Sequence, residues 1–252
     1  MYTTPLPELS QVWRPLHQYE WTVWEEREEL RHPHSLGFPK VLANGQEFSI
    51  AKNGSTQRNR ALYAAPSVVV LDTETLFASP QPTGNKITID FSAGETARAE
   101  DFFADGILYV KDHTGKGLSF PIEGSEAITA TSTKAVIAIK GEIFADDDGN
   151  SVLDRTSDVT VVSSIWRNMG VGGENDAFGG IPLDEVSPDA YFWLQKKGPA
   201  VATAGAVVAA SAALTPAPNG RLIAAVAGQP IVAYALEAAG AAGDVIAVYL
   251  IG

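Results

Sequence analysis

Cysteine is absent from the 252 residues, and methionine (2) and histidine (4) are scarce. The missing thiols exclude a disulfide framework, thiolate zinc sites, iron–sulfur clusters and a cysteine nucleophile. Basic residues are in short supply too. Eighteen Lys and Arg stand against 30 Asp and Glu, for a net charge of −12 and a pI near 4.7. That balance argues against nucleic acid or an anionic membrane as the main partner. A membrane span is also poorly supported. Residues 198–220 are free of charge and long enough to cross, but Pro199, Pro216, Pro218, Asn219 and Gly220 sit at the ends. The stretch between is mostly Ala, Gly, Ser and Thr, whose insertion energy is small. The opening Met1-Tyr2-Thr3-Thr4-Pro5 has neither the basic nor the apolar region of a secretory signal.

What is present is unevenly spread. Residues 1–60 hold seven basic and seven acidic side chains, and Trp13, Trp21 and Trp24 are three of the five tryptophans. Residues 61–197 hold ten basic and 21 acidic, a net of −11. Residues 198–252 carry only Arg221, Glu237 and Asp244, and 19 of the last 53 residues are alanine. The expected organisation is an N-terminal arm (1–45), an acidic β-rich domain (46–185) and a small Ala-rich C-terminal β-barrel (186–252), the last two separate or packed as one unit.

Local patterns point to β structure. Asn44-Gly45, Asn53-Gly54, Asp105-Gly106, Asp148-Gly149 and Asn219-Gly220 favour the positive φ angles of tight hairpin turns. Between them lie β-branched or alternating runs: 47–51, 67–71, 86–91, 107–111, 118–122, 135–144, 159–165, 191–195, 221–225, 231–236 and 245–251. In Lys86–Phe91 every second residue is apolar, which places one face on a core. Eleven short runs with turn signals predict an all-β fold of small antiparallel barrel or sandwich units. The Trp-rich arm contains at most one short helix, Pro15–Arg31, where Leu16, Tyr19, Val23 and Leu30 fit a helical stripe while Tyr19, Trp21 and Val23 also alternate as a strand. The Ala-rich 202–213 stretch reads as strand–turn–strand.

Motifs for chemistry are few. Asp146, Asp148, Asn150 and Asp154 have the alternating oxygen spacing of a calcium loop, because a hard cation wants several carboxylate and amide oxygens. Ser151 replaces the glycine of an EF-hand and Ser157 its bidentate glutamate, so an acidic β-turn is the competing reading. His32 and His34 flank Pro33 with no third ligand indicated, and read as a surface loop. Asp112-His113 could orient a general base, but no Gly-x-Ser-x-Gly elbow accompanies it and a hairpin loop reads better. Gly170, Gly172, Gly173, Gly179 and Gly180 match no phosphate-binding fingerprint, and Glu174 and Asp176 would repel an anion. They read as a flexible surface loop. No catalytic residue or cofactor is assigned. Trp13, Tyr19, Trp21 and Trp24 either anchor the arm on the chain's own core or form a docking arm, since Trp and Tyr are common at interface hot spots.

Three segments of the tail carry a resemblance. Tyr191-Phe192-Trp193-Leu194-Gln195-Lys196-Lys197-Gly198-Pro199-Ala200, Gly228–Ala238 with its Ala233-Tyr234-Ala235-Leu236-Glu237-Ala238, and Ala242-Gly243-Asp244-Val245-Ile246-Ala247-Val248-Tyr249-Leu250 are similar to the small β-barrel of tailed-bacteriophage capsid decoration (cement) proteins. Upstream, Tyr109–Gly124 resembles a segment of larger phage virion proteins with the same tail. Ala233 departs from the glycine often found there. The resemblance implies a non-enzymatic virion structural protein: a homo-oligomer, often a trimer, bound to the major capsid protein on the outer surface of the head and assembled in the host cytoplasm. The alternatives are a head-fibre or tail-associated β protein that binds host carbohydrate, and a phage glycan hydrolase.

Overall fold

A computed structural model describes residues 36–54, 59, 61–76, 84–90, 96–143, 152–154, 156–174 and 176–252, with backbone alone for 72–76. The described chain is all-β, with no helix of seven or more residues. Its strands are β1 (Pro39–Val41), β2 (Glu47–Lys52), β3 (Ala64–Ala65), β4 (Val70–Leu76), β5 (Gly84–Asp90), β6 (Ile107–Asp112), β7 (Ser119–Ser125), β8 (Lys134–Ile143) and β9 (Asp158–Val162). They continue with β10 (Gly170–Val171), β11 (Ile181–Pro182), β12 (Tyr191–Thr203), β13 (Ala213–Ala217), β14 (Arg221–Ala224), β15 (Ala233–Ala235) and β16 (Val245–Ile251). The Trp-bearing arm and its short helix lie outside the described residues.

The chain forms two compact units. Pro66–Asn168 is one; the residues up to Ala65 together with Met169–Gly252 are the other. This division does not fall at the expected boundaries of 45 and 185. The reason is pairing: the first half of β12 bonds to β2, which ties the tail to a segment some 140 residues upstream.

The continuous unit, 66–168, is a closed antiparallel barrel in the order β4-β5-β8-β7-β6-β9. Period-2 alternation fills it. Ile87 and Ile89, Leu108 and Val110, Phe120 and Ile122, Ala135, Ile137 and Ile139, and Val159 and Val161 all point inward. Phe103, Ile128 and Leu153, from the connections, complete the core. Asp105 takes a φ of 61°, and an added Cβ on Gly106 would stand 2.2 Å from the Val162 carbonyl oxygen, so this Asp-Gly turn also needs glycine for close approach. Among the described residues each strand of this barrel has a hydrogen-bonded neighbour on both sides.

The discontinuous unit holds an eight-stranded sheet, β1-β2-β12-β16-β15-β13-β14, with β11 beside β12. Its long strand β12 serves two neighbours in turn. Residues 191–197 pair with β2 and residues 197–203 with β16. A bulge between Gln195 and Lys197 and a φ of 90° at Gly198 bend the strand at the changeover. The buried Gln195 fixes that bend: its Nε2 donates to the Pro199 carbonyl at 2.7 Å and to that of Lys197 at 3.2 Å. Beyond the bend the Ala-rich strands curl back on themselves. Ala204 bridges Leu222 in parallel, so β14 returns to the end of β12 around a core of small and branched residues that includes Ala202, Leu214, Ala233, Ile246 and Val248. Asn219 and Gly220, both at positive φ, make the turn between β13 and β14.

The unit's chain is interrupted at a ladder. Ala64 pairs with Val171 and Ala65 with Gly170, so the strand that leaves and the strand that returns are hydrogen-bonded neighbours. On the barrel's side the same holds: the Ser163 N–H donates to the Val69 carbonyl, and the Val69 N–H to Ser163 Oγ, both at 2.9 Å.

Candidate functional site

Several residues singled out by sequence lie outside the described ones: Trp13, Tyr19, Trp21, Trp24, His32, His34, Asp146, Asp148 and Asn150. Asp154 is described, and its carboxylate closes a loop. Oδ1 accepts from the Thr156 hydroxyl at 2.6 Å and the Thr156 N–H at 2.7 Å, while Oδ2 accepts from the Thr114 hydroxyl at 2.7 Å. Ser157 Oγ accepts from the Asp154 N–H and donates to the Thr114 carbonyl. The hydroxyls of Thr156 and then Thr114 hold Asp154 below its ordinary pKa of 3.8. Among the described residues no group of three or more His, Asp or Glu could hold a metal ion.

Asp112 and His113 sit at the turn between β6 and β7, and their side chains take different charged partners. Asp112 Oδ1 accepts from Lys116 Nζ at 3.0 Å, and this bond holds its carboxyl below the usual range. His113 Nε2 is 3.9 Å from Asp158 Oδ2 instead. The glycine-rich segment is a packed crossing at its ends and not a surface loop throughout: Gly172, Gly179 and Gly180 are buried and give passage to larger neighbours, while Glu174, Asp176 and Ala177 between them are exposed. A Cβ on Gly172 would lie 1.8 Å from the Tyr63 ring, and one on Gly179 2.8 Å from the Ala64 carbonyl oxygen. Tyr63 is fully buried, packs on Phe178 at 5.5 Å between ring centroids, and donates its hydroxyl to the Gly173 carbonyl. Burial, and secondly the Asp176 carboxylate, push its pKa up to about 12. Asn53-Gly54 also differs from expectation. Asn53 is buried and donates to the carbonyls of Val186 and Ser187, so it locks two loops rather than turning a hairpin.

Two surfaces remain. Residues 66–168 hold 16 acidic and eight basic side chains, a net of −8. Glu100, Asp112, Glu123, Glu126 and Glu142 are exposed on that barrel, and Lys140 is bound to Asp105 at 2.7 Å. On the other unit, the outward face of the β12–β16–β15 ladder is apolar and exposed. Its registers set Pro199 opposite Tyr249, Tyr249 opposite Tyr234, and Val201 opposite Ala247. Sequence reasoning marked these strands but not this face, because Val245–Ile251 is apolar at every position and no polar alternation tells its exposed side from its buried one.

No protein-family model matches the chain, and neither a curated protein nor a solved structure matches it. No helix among the described residues is long and apolar enough to cross a membrane.

Proposed function

We propose that this chain is a virion structural protein, a decoration protein that binds the major capsid protein on the outer surface of a tailed-phage head as a homo-oligomer, a trimer in the favoured form. The observation that carries the reading is a coincidence of pattern and place. The three segments of family resemblance fall on β12, β15 and β16, which are consecutive neighbours in one sheet. They are therefore parts of a single structural element and not scattered likenesses. The charge distribution supports the same reading. An acidic barrel suits an exterior surface and would be repelled by packaged DNA. The role asks for no catalytic group and no cofactor. It asks for a rigid β scaffold and surfaces that hold subunits to a shell.

Purified protein mixed with expanded heads is expected to bind saturably, at hundreds of copies per particle by quantitative mass spectrometry of the washed heads. A handful of copies would mean a fibre or tail component, and no binding would remove the reading. The segment bearing Trp13, Tyr19, Trp21 and Trp24 is the docking arm in this proposal. Deleting residues 1–35 should leave a folded protein that no longer coats heads. Unfolding on deletion would place those aromatics in the chain's own core.

A further inference from the structure

Asparagine precedes glycine three times, at Asn44-Gly45, Asn53-Gly54 and Asn219-Gly220. The folded chain treats the three pairs differently. Asn44-Gly45 is exposed at the tip of the hairpin that joins β1 to β2. The Gly45 N–H is held within that tip, by the Leu42 carbonyl at 2.9 Å. Gly45 has a φ of 81°, and a Cβ there would meet nothing within 4 Å, so the tip has room to rearrange. The Asn44 carboxamide folds back over Gln46. Its Oδ1 accepts from the Gln46 N–H at 3.1 Å, and its Nδ2 donates to Gln46 Oε1 at 2.7 Å. The first bond polarises Cγ and sits where an oxyanion develops when that carbon is attacked. At the other two pairs the same atoms are tied to distant segments. Asn53 is 1% exposed, its Nδ2 donates to the Val186 and Ser187 carbonyls, and the Gly54 N–H donates to the Met169 carbonyl at 3.0 Å. Asn219 is exposed, but Gly220 is buried and its N–H donates to the Gly172 carbonyl at 2.7 Å.

We propose that Asn44 is a site of spontaneous, backbone-assisted deamidation, which converts the β1–β2 tip to aspartate and isoaspartate. The nucleophile and the carbonyl are neighbours in the chain, so the attack is intramolecular. The Gly45 nitrogen gives its proton to hydroxide and attacks Asn44 Cγ. The N–Cγ bond forms, the Cγ–Nδ2 bond breaks, and Nδ2 leaves as ammonia with a proton from water. The product is a cyclic imide, which water then opens. Addition at Cγ breaks the new bond and leaves aspartate. Addition at the main-chain carbonyl carbon of Asn44 breaks its bond to the Gly45 nitrogen, and the chain then runs through Cγ as isoaspartate. One water is consumed, one ammonia is released, and nothing is oxidised or reduced. Either product makes the net charge of −12 one unit more negative. The new carboxylate faces Gln46 Oε1, acceptor against acceptor, so Gln46 must turn. Its Nε2 donates at 2.7 Å to the Pro199 carbonyl at the bend of β12, and that bond is strained with it. Isoaspartate also adds a backbone atom to the tip, which disturbs the closing bonds of Leu42 with Gly45 and Gln46. The reaction therefore loosens, with age, the hairpin at the β1 end of the sheet. The inference does not rest on the decoration reading.

Ageing the full-length protein in warm, mildly alkaline buffer tests it, with peptide mapping by mass spectrometry at intervals. Asn44 should convert at least about tenfold faster than Asn53 or Asn219, because its opening is confined to a loop tip. Isoaspartyl methyltransferase should label the Asn44 peptide, since the imide opens both ways. In concentrated urea the three pairs should convert within about threefold of one another, because folding alone distinguishes them. Gly45→Ala should slow the reaction at least about tenfold, as a Cβ crowds the attacking nitrogen. Asn44→Gln leaves the glycine and its φ in place, keeps the test alive if Gly45→Ala misfolds, and should abolish conversion at position 44. Native conversion at Asn44 no faster than at Asn53 or Asn219, aspartate formed without isoaspartate, or an isoaspartyl label at position 44 that survives Asn44→Gln would overturn the proposal.

Discussion

Replacing Gly172 by alanine isolates one steric demand of the discontinuous unit. The added Cβ would stand 1.8 Å from Tyr63 Cε2, 2.1 Å from Cζ and 2.5 Å from Cδ2. Ordinary carbon contacts lie at about 3.5–4.0 Å, so the ring must retreat by about 2 Å. It has nowhere to go. Its hydroxyl is held by the Gly173 carbonyl, its face by Phe178, and its backbone N–H by the Gly220 carbonyl at 2.7 Å. Gly172 has no positive φ, so alanine meets no backbone penalty and the effect is steric alone. Expelling the ring should cost about as much as truncating a buried aromatic, about 3–5 kcal/mol. Urea denaturation should show that loss in the unit holding Tyr63, with the barrel's transition unchanged. Tyr63→Ala should cost a similar amount, and Gly172→Ala placed on top of it less than about 1 kcal/mol. Gly228→Ala is the contrast: at φ +89° in open space, it should cost only about 1–2 kcal/mol, from the left-handed backbone. If Gly172→Ala costs less than about 1 kcal/mol, or the two substitutions add in full, the packed-crossing argument is wrong.

Residues 66–168 produced alone should fold, giving a β-type circular dichroism spectrum and a cooperative melt, because the barrel closes on itself and its ends are bonded through Val69 and Ser163; a random-coil spectrum would show that its core needs the rest of the chain. Asp154→Asn tests the loop that closes on Thr114. A carboxylate whose folded pKa is depressed stabilises the protein above its unfolded pKa, and that stability is lost as pH falls through the folded value. The side chain is only partly buried, so the variant should lose less than about 1 kcal/mol at pH 7 and converge with the wild type in acid; an undiminished difference in acid would refute the charge-based account.

The barrel was the most legible part of the fold. In Ile87/Ile89, Leu108/Val110 and Ile137/Ile139 the alternation is local, and the observed strands match the expected ones within a few residues. Pairs such as Ala64–Ala65 with Gly170–Val171 were not legible, since two-residue strands exist only through a partner about 105 residues away. The length of β12 was hidden by Gly198-Pro199, which reads as a break. Pro199 is tolerated because β2 has ended by Lys197, leaving that side of the strand without a partner for an N–H. Its carbonyl is used by Gln195 and Gln46. The glycine run misled for a related reason: composition says where glycine is, and only tertiary contact says what presses on it. The apolar face was equally obscure, because alternation marks two faces of a strand without saying which is covered.

The paired strands at Ala65 and Gly170 also order events in time. During synthesis the barrel's residues are complete before β12 is made, while β2 must wait for it. Domains fold as units as the chain emerges. Once the barrel has formed, its 103 residues no longer count as a flexible loop between the two halves of the other unit. Shortening that connection to about 35 residues lowers the entropic cost of joining β2 to β12 by about 1 kcal/mol. The pairing thereby becomes less non-local than its sequence separation suggests. The inserted barrel acts as a folding template for the strands on either side of it, and a barrel destabilised in its own core should delay the maturation of a sheet it takes no part in.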